Sequence, residues 1–488
     1  MCGIAGVLGP RNLDDPKCIE SMLDKIVHRG PDDRGVWRCK NLSLGHQRLS
    51  ILDLSSSGKQ PMESSSGRFV IVFNGEIYNY EELRLMLPAI NYRGSSDTEV
   101  ALQAFEYFGI EKSLELFNGM FALALWDRRD KVLTLARDRF GEKPLYFGVL
   151  DNNFVFASEI SCIESNFGEQ LTISHSSLAK QAAVSYIPAP NSIYNEINKL
   201  TPGCYIQYKD GELSNLNRYW ALSESVSKGK ANQFVDSREA IDSLHTALKK
   251  SVKLRMASDV PLGAFLSGGT DSTVISALMQ AQSDEPINTF SIGFDVENYN
   301  EAVFAKQVAE HLGTKHHERY FSSKEVLDIV PRLGSMFDEP FSDASQMPTF
   351  LVSNMAKEKV TVALTGDGGD ELFCGYQRYQ AADKIWGKIK YLPFRSFIAK
   401  SIDRCPTNVL NFMFFFLQNS ANRLGRKGAV GKKLKTLANW LDRGTAEEFY
   451  QQLLVHWKLS DNLFVRELSL SDLDFLARGI GEFDEFFE

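Results

Sequence analysis

The most informative residues of this 488-residue chain form a loop between an apolar run and a helical pattern. The run Val260–Leu266 has the length of a buried strand, and Ser267-Gly-Gly-Thr-Asp-Ser follows it. Asp271 and Ser272 are predicted to cap a helix. Free backbone N–H groups and the positive end of a helix would then meet beside two serine hydroxyls, which favours phosphate binding.

This loop is not a Walker A motif, because no Gly-Lys-Ser/Thr follows it. Asp271 would repel a bare phosphate, so its carboxylate implies a Mg²⁺ ion that bridges protein and phosphate. A structural glycine turn is the alternative, and the glycine pair alone does not exclude it. The full string resembles the pyrophosphate loop of N-type ATP pyrophosphatases, which split ATP between its α and β phosphates to adenylate a substrate.

Cys2 is a second candidate for chemistry. If Met1 is removed, Cys2 carries both a thiol and a free α-amino group. In model compounds the amine titrates near ~8 and the thiol near ~8.5, so the amine can act as the base for its own nucleophile. One residue would then supply two catalytic groups.

Polar groups that suit an acyl-transfer site follow in the next hundred residues. The run Arg68–Phe73 predicts a buried strand that ends at Asn74-Gly-Glu, where an amide and a glycine N–H could serve as an oxyanion hole. Arg48 could bind a substrate carboxylate through two donors. Asp97 stands near the start of a predicted helix, where a plain helix cap is the alternative.

Composition narrows the class of protein. The chain is 43% hydrophobic and 24% charged, as in ordinary globular proteins, and its net charge of −8 argues against a nucleic-acid partner. Seven scattered cysteines fit neither a zinc site nor a disulfide framework. The N-terminus does not resemble a signal peptide, and the longest apolar run, Val409–Leu417, is too short to span a bilayer. We expect a cytoplasmic protein without a membrane partner.

The elements that position these residues fall into two kinds. Short strands at 120–126, 131–136, 144–149 and 154–157 are separated by turns, which suits antiparallel sheets. After a polar, turn-rich stretch, strands at 260–266, 288–294, 317–321 and 360–365 alternate with helical patterns, which indicates a mostly parallel, doubly wound sheet. A ligand of such a sheet lies beyond the carboxyl ends of its strands.

The N-terminal motifs resemble the class II glutamine amidotransferase domain, which has an αββα N-terminal-nucleophile fold and hydrolyses glutamine. The resemblance covers residues 2–205 and rests on Cys2-Gly-Ile-Ala-Gly, His28-Arg-Gly-Pro-Asp, Asn74-Gly-Glu-Ile-Tyr-Asn, Ser96-Asp-Thr-Glu and Ala136-Arg-Asp-Arg-Phe-Gly-Glu-Lys-Pro-Leu-Tyr. It implies that Cys2 attacks the amide and that Asn74 and Gly75 hold the oxyanion. It also implies that Arg48 binds the substrate carboxylate, and Glu76 and Asp97 its amino group.

Residues 240–380 resemble the synthetase half of glutamine-hydrolysing asparagine synthetases. Besides the loop after Leu266, this rests on Phe290-Ser-Ile-Gly-Phe, His311-Leu-Gly-Thr-Lys-His-His-Glu, Asp338-Glu-Pro-Phe-Ser-Asp-Ala-Ser and Gly366-Asp-Gly-Gly-Asp-Glu-Leu-Phe. The resemblance implies an ATP site, Mg²⁺ at Asp271 and Asp370, and an acid at Asp367 that assists acyl-adenylate formation. The residues implied in ATP binding are Leu266, Ser267, Gly268, Gly269, Asp271, Ser272, Ile292, Thr365 and Gly366.

The expected organisation is an amidotransferase domain at 2–205, a linker at 206–238 and an ATP-pyrophosphatase domain at 239–488 that ends early compared with relatives. The expected function is ATP-dependent synthesis of asparagine from aspartate and glutamine. Thr270, Asp367 and Cys374 depart from the family's commonest leucine, glutamate and glycine. Two alternatives stay open: amidation of another small carboxylate, such as a uronic-acid sugar, and a truncated glutaminase or nucleotide-binding protein. A homodimer is one compatible assembly.

Overall fold

A computed structural model describes residues 1–10, 17–295, 300–413 and 430–455. These residues divide into two compact units. The first unit holds Met1–Gln181 and Tyr186–Asp367, and the second holds Ala182–Ser185 and the described residues from Gly368 onward.

Two antiparallel sheets form the N-terminal part of the first unit. Their strands are β1 (Gly3–Leu8), β2 (Asp33–Cys39), β3 (Leu42–Arg48), β4 (Met62–Glu63), β5 (Phe69–Ile77), β6 (Gly119–Asp127), β7 (Val132–Arg137), β8 (Tyr146–Leu150), β9 (Asn153–Ala157), β10 (Ile197–Lys199), β11 (Cys204–Lys209), β12 (Glu212–Leu213) and β13 (Asn217–Arg218). Within the described ranges, one sheet has the order β10-β8-β9-β1-β3-β2 and the other β12-β11-β7-β6-β5-β4, with β13 beside β11.

Alternation along β5 explains why the two sheets pack face to face. Val70 and Val72 point toward the first sheet and share a core with Ile4 of β1. Phe69 and Ile71 point the other way, into a core closed by the helix Asp97–Phe108. The helices of this part are Cys18–Lys25, Tyr80–Met86, Asp97–Phe108, Ile110–Leu116, Ile160–Phe167 and His175–Val184.

The outer face of the first sheet is covered in the same way. Ala5 and Val7 of β1 pack with the helices Cys18–Lys25 and Ile160–Phe167 through Ile19, Leu23 and Ile163. The layers therefore run helix, sheet, sheet, helix, and the predicted αββα fold is confirmed.

The segment predicted as a linker contains regular structure. Strand β11 pairs with β7 from Tyr205 to Tyr208, and β13 pairs with β11. A helix, Leu222–Ala231, occupies most of the polar stretch that follows, and the helix Ser237–Arg255 comes next.

The predicted parallel sheet is also confirmed. Its strands are β14 (Leu262–Phe265), β15 (Asn288–Phe294), β16 (Lys315–Phe321) and β17 (Val362–Leu364), in the order β16-β15-β14-β17 with parallel pairing throughout. Ala264 packs on one face with Leu278, and the neighbouring Phe265 packs on the other face with Val352. Helices cover both faces, and the helices of this part are Thr270–Gln280, Ala302–Leu312, Ser323–Leu327, Leu333–Met336 and Gln346–Ala356.

The described residues of the second unit are mainly helical. Ile389, Ala399, Leu441 and Phe449 form its core. The apolar run predicted from Val409 begins inside a helix, but residues 414–417 lie outside the described ranges. Across the described parts of the chain, the helices are all too short or too polar to cross a bilayer. The helices of this unit are Gly369–Leu372, Gln377–Ile389, Arg395–Arg404, Thr407–Met413, Val430–Leu441 and Ala446–Leu454.

Candidate functional site

Cys2 lies directly before β1, at one end of the core between the two antiparallel sheets. Its thiol donates to the carbonyl oxygen of Leu49 at 3.6 Å, and the N–H of Leu49 donates to Sγ at 3.4 Å. Arg29 Nε donates to the Cys2 carbonyl at 3.0 Å. Burial raises the pKa of the thiol, so ionisation of Cys2 needs a nearby base.

Asn74 and Glu76 face the same pocket because they are two residues apart on β5. The predicted strand end before Asn74 is wrong: β5 continues to Ile77, and Asn74 pairs with Ala122 of β6. Asn74 is fully buried, yet neither its amide nitrogen nor its amide oxygen has a hydrogen-bond partner among the described residues. A buried amide without a partner is costly, so this side chain is suited to a ligand.

Gly75, between them, holds the strand close to its neighbour. A Cβ at this position would come within 2.1 Å of the Met120 carbonyl oxygen and 2.6 Å of Phe121 Cα. Glycine is therefore needed for the close approach of β5 and β6.

Asp97 occupies the first turn of the helix Asp97–Phe108, but it is not the cap. Ser96 caps this helix by accepting from the N–H of Glu99. The Asp97 carboxylate instead accepts from the N–H of Ile77 at 2.8 Å. Burial raises the pKa of Asp97 to about 6, against the opposing effect of these hydrogen bonds.

Glu76 is the second acid of the pocket. Its pKa is raised to about 7, first by burial and then by the charge of Asp97. The Glu76 Oε1 atom has no hydrogen-bond partner among the described residues. Two nearby buried acids favour a cationic ligand group, such as an α-ammonium.

Arg48 ends β3 and lines the same pocket. Its guanidinium donates to the carbonyl oxygen of Ser55 at 3.0 Å and also contacts the carbonyl oxygen of Asp53. These contacts hold the guanidinium in a fixed position at the edge of the pocket.

Sequence reasoning gave no role to two cations that lie beside Met1 and Cys2. Lys143 is only 5% exposed and lies 3.2 Å from Met1 Sδ, and Arg29 contacts the Cys2 backbone. Both belong to motifs quoted for the resemblance, but polar turns give no signal of burial. The pocket is lined by Met1, Cys2, Arg48, Leu49, Ile51, Leu52, Gly58, Gln60, Phe73, Asn74, Gly75, Glu76, Ser96, Asp97, Thr98, Met120 and Lys143.

A second candidate site lies where β14 leads into the helix Thr270–Gln280. Ser267 Oγ is 2.9 Å from Ser272 Oγ, and it accepts from the N–H of Gly269 at 3.2 Å. Gly268 has φ +82, and a Cβ there would lie 2.7 Å from the backbone nitrogen of Ala305. The loop is thus a tight turn that only glycine can make, with two hydroxyls at a helix N-terminus.

The predicted capping by Asp271 and Ser272 is wrong. Gly269 is the N-cap residue, and the helix already begins at Thr270. The glycine pair lets the chain turn earlier, so Asp271 falls in the first turn. Ser272 bonds back to Ser267 instead of capping.

The other residues predicted for nucleotide binding lie at the ends of neighbouring strands. Leu266 is 1% exposed and packs on Ala305, and its N–H donates to the Phe290 carbonyl oxygen at 2.9 Å. Ile292 packs beside Phe321. A Cβ on Gly366 would lie 2.7 Å from the Ser272 nitrogen, so Gly366 closes against the loop.

The contacts described for the acidic residues after β17 are with residues nearby in the sequence. Thr365 Oγ1 donates to the Asp367 carboxylate at 2.9 Å. Asp370, in the second unit, lies in the short helix Gly369–Leu372, and its carbonyl oxygen accepts from the N–H of Gly375 at 2.9 Å.

The donor set at the loop fits a phosphate ligand with Mg²⁺. The hydroxyls and helix N-terminus suit phosphate oxygens, and Asp271 is an oxygen donor of the kind Mg²⁺ takes with one or two carboxylates. The described residues hold no cluster of three or more His, Cys, Asp or Glu side chains suited to a metal.

Two family models match the chain, a glutamine amidotransferase domain over residues 1–220 and an asparagine synthase domain over residues 243–479. A putative glutamine-hydrolysing asparagine synthetase 2 of Methanocaldococcus jannaschii is 37% identical over 402 residues, which is 78% of this chain and 76% of that protein. Asparagine synthetase 1 of Bacillus subtilis is 35% identical over 387 residues, 78% of this chain and 60% of its own length.

A putative asparagine synthetase of Mycobacterium tuberculosis is 34% identical over 402 residues, with 78% of this chain and 61% of that protein covered. The chain thus spans about three fifths of the length of the Bacillus and Mycobacterium relatives. These matches show that the chain belongs to the glutamine-hydrolysing asparagine synthetase family.

Proposed function

We propose that this protein hydrolyses glutamine at Cys2 and uses the ammonia to convert aspartate to asparagine, with ATP cleaved to AMP and pyrophosphate. The observation that carries the proposal is the N-terminal pocket. It joins a backbone-held thiol, a buried amide without a partner at Asn74, and two acids with raised pKa values, Glu76 and Asp97.

In the first reaction the Cys2 thiolate attacks the glutamine amide carbon. The Asn74 amide and the Gly75 N–H would hold the oxyanion, Arg48 the α-carboxylate, and Glu76 and Asp97 the α-ammonium group. Ammonia leaves, and water releases glutamate from the thioester. Electrostatic stabilisation of the oxyanion is commonly the largest contribution at such sites.

The base would be the α-amine of Cys2 after removal of Met1. The Met1 amine itself has a pKa lowered to about 6, first by burial, with Arg29 and Lys143 contributing. Burial and nearby cations favour the neutral form of an amine, and the neutral form is the one that can accept the thiol proton.

In the second reaction the aspartate side-chain carboxylate attacks the α-phosphate of ATP, and pyrophosphate leaves. Ammonia then displaces AMP from the acyl-adenylate. Ser267, Gly268, Gly269 and Ser272 would hold the pyrophosphate, with Leu266, Ile292, Thr365 and Gly366 near the nucleoside and Asp367 near the adenylate. Asp271 would hold Mg²⁺, which would neutralise the phosphate charge, and Asp370 stays a predicted metal ligand.

Steady-state assays of glutamate release and AMP formation test this proposal. Aspartate should stimulate AMP formation, and other small carboxylates should not. Glutamate release without any aspartate-dependent AMP would limit the function to glutamine hydrolysis.

Three features stay predictions: the cytoplasmic location, the homodimer and the domain limits, which are 2–205, 206–238 and 239–488.

A further inference from the structure

The helix Ile160–Phe167 of the amidotransferase part is capped by a residue that lies far away in sequence. Its N-cap residue, Glu159, makes no side-chain capping bond. The Asp338 carboxylate accepts from the N–H of Ile160 instead, across 178 positions of sequence. Asp338 lies in the loop between the helices Leu333–Met336 and Gln346–Ala356, beside the parallel sheet.

The capped end of this helix is connected to the nucleophile. Because Glu159 does not cap, its carboxylate is free to accept from Arg29 Nη1 at 2.8 Å. Arg29 Nε in turn donates to the Cys2 carbonyl at 3.0 Å. The side chains of Arg29 and Glu159 are only 9% and 19% exposed, so this contact is shielded from water.

Ser158 makes a second connection to the same strand. Its Oγ accepts from the N–H of Ile4 at 3.0 Å, and its own N–H donates to the Ile4 carbonyl oxygen at 2.9 Å. These two bonds do not involve the side chains of Asp338 or Glu159, so they should persist in variants of either residue.

The residue after Asp338 anchors the loop on the amidotransferase part. Glu339 forms an ion pair with Lys199 in which both side chains are largely buried. Its carboxylate also accepts from the N–H of Ile193 at 2.8 Å and from the Tyr146 hydroxyl at 3.4 Å. Asp338 is thus held by a neighbour with three partners, so its place at the helix end is well defined.

We propose that Asp338 is a positioning residue for glutamine hydrolysis, supplied by the synthetase part, which sets Cys2 through Glu159 and Arg29. This inference rests on the proposed role of Cys2. A shift of the loop that carries Asp338 would alter the helix end, the direction of the Glu159 carboxylate and then the Cys2 backbone. The state of the synthetase part would in this way influence the rate at which ammonia is made.

The test compares Asp338→Ala, Asp338→Asn, Glu159→Gln and the double variant Asp338→Ala/Glu159→Gln in the full chain. Asp338→Ala should lower kcat for glutamine hydrolysis by about tenfold, because small misplacements far from the chemistry are costly. KM for glutamine should change little, because Arg48, Glu76 and Asp97 are untouched. Asp338→Asn keeps an acceptor for Ile160 and should restore most of kcat.

The double variant should be no slower than Glu159→Gln alone, since Asp338 acts through Glu159. Ser342→Ala is the matched control, because it removes a bond of 2.7 Å between Gln181 and the same loop at an exposed edge. It should keep the parent rate. If Asp338→Ala hydrolyses glutamine at the parent rate, or if its effect adds fully to that of Glu159→Gln, the inference is wrong. A parent protein without glutaminase activity would instead overturn the proposed function.

Discussion

The carboxylate of Asp97 accepts a hydrogen bond from the backbone N–H of Ile77 at 2.8 Å. This bond joins the start of a helix to the end of the strand that carries Asn74 and Glu76. It also holds one buried acid near another: burial, and then the charge of Asp97, raise the pKa of Glu76. The electrostatic character of the pocket therefore depends on the packing of that helix on β5.

A pH dependence of glutamine binding follows from the raised pKa of Glu76, which is about 7. Below pH 7 the carboxyl group is neutral and no longer attracts an ammonium group. KM for glutamine should therefore rise as the pH falls from 8 to 7, while Glu76→Gln should show a high KM that varies little over this range, in which Asp97 stays ionised. A steep pH dependence that persists in Glu76→Gln would assign the titration to another group.

The free energy of unfolding should also depend on the protonation of Glu76, but here the protonated form is the favourable one. Because the pKa of Glu76 is higher in the folded protein than its ordinary 4.5, the folded state binds the proton more tightly. The contribution of Glu76 to stability is present at low pH and is lost as the pH rises toward 7. Thermal unfolding should show Glu76→Gln gaining Tm over the parent at pH 8 and less at pH 5. An equal difference at both values would contradict the buried position of the acid.

Asn74→Ala separates function from stability. Loss of one oxyanion donor should raise the barrier to glutamine hydrolysis by about 3 kcal/mol. The Tm should not fall, because the amide atoms of Asn74 have no partner among the described residues. An unchanged kcat would mean that Asn74 is not an oxyanion donor.

The matched control for that variant is Asn79→Ala. The Asn79 side chain accepts from the N–H of Asn118 at 2.8 Å and donates to the Leu116 carbonyl at 3.0 Å. Its removal should destabilise the fold by about 1–3 kcal/mol through unsatisfied groups and leave kcat of the folded enzyme intact.

Replacement of the nucleophile should separate the two activities. Cys2→Ala should abolish glutamine-dependent amidation and retain amidation with added ammonia, because the ATP loop is built from other residues. Cys39→Ala, which alters a half-buried thiol of β2, should retain both. Glutamate release by purified Cys2→Ala would show that another group is the nucleophile.

Replacement of the proposed metal ligand should give the reverse pattern. Asp271→Asn keeps the side-chain shape but removes a charge that Mg²⁺ needs, so aspartate-dependent ATP–pyrophosphate exchange should fall sharply. Glutamine hydrolysis should persist. Asp284→Asn, which alters an exposed acid after the same helix, should keep both activities. Equal loss of both reactions in Asp271→Asn would indicate misfolding.

The spacing of short strands and turns predicted the antiparallel sheets, and the alternation of strands with helical patterns predicted the parallel sheet. Strands β5 and β15 were predicted from apolar runs, and both are largely buried in the fold. These sequence patterns did not predict the ends of the elements. Strand β5 continues through Asn74, since Gly75 still pairs with β6. The helix begins at Thr270, since two glycines permit an early turn.

The contacts that complete the site could not be predicted from local sequence. Arg29 and Lys143 lie in polar turns that look solvent-exposed, and only the folded sheets bring them to Cys2. The bond between Asp338 and Ile160 joins segments whose separation gives no periodic signal. Long-range polar contacts of this kind depend on the packing of whole layers rather than on neighbouring residues.

If the two sites act in sequence, the amide nitrogen of glutamine becomes the side-chain nitrogen of asparagine. The most direct measurement supplies glutamine labelled with ¹⁵N in its amide, together with aspartate, ATP and Mg²⁺, and follows labelled asparagine and AMP in one sample. Labelled asparagine and AMP should form in equal amounts, and both should be lost in Cys2→Ala. Added unlabelled ammonia should then restore AMP and unlabelled asparagine, but not labelled asparagine. Release of all the label as free ammonia, with neither AMP nor asparagine formed, would contradict this prediction.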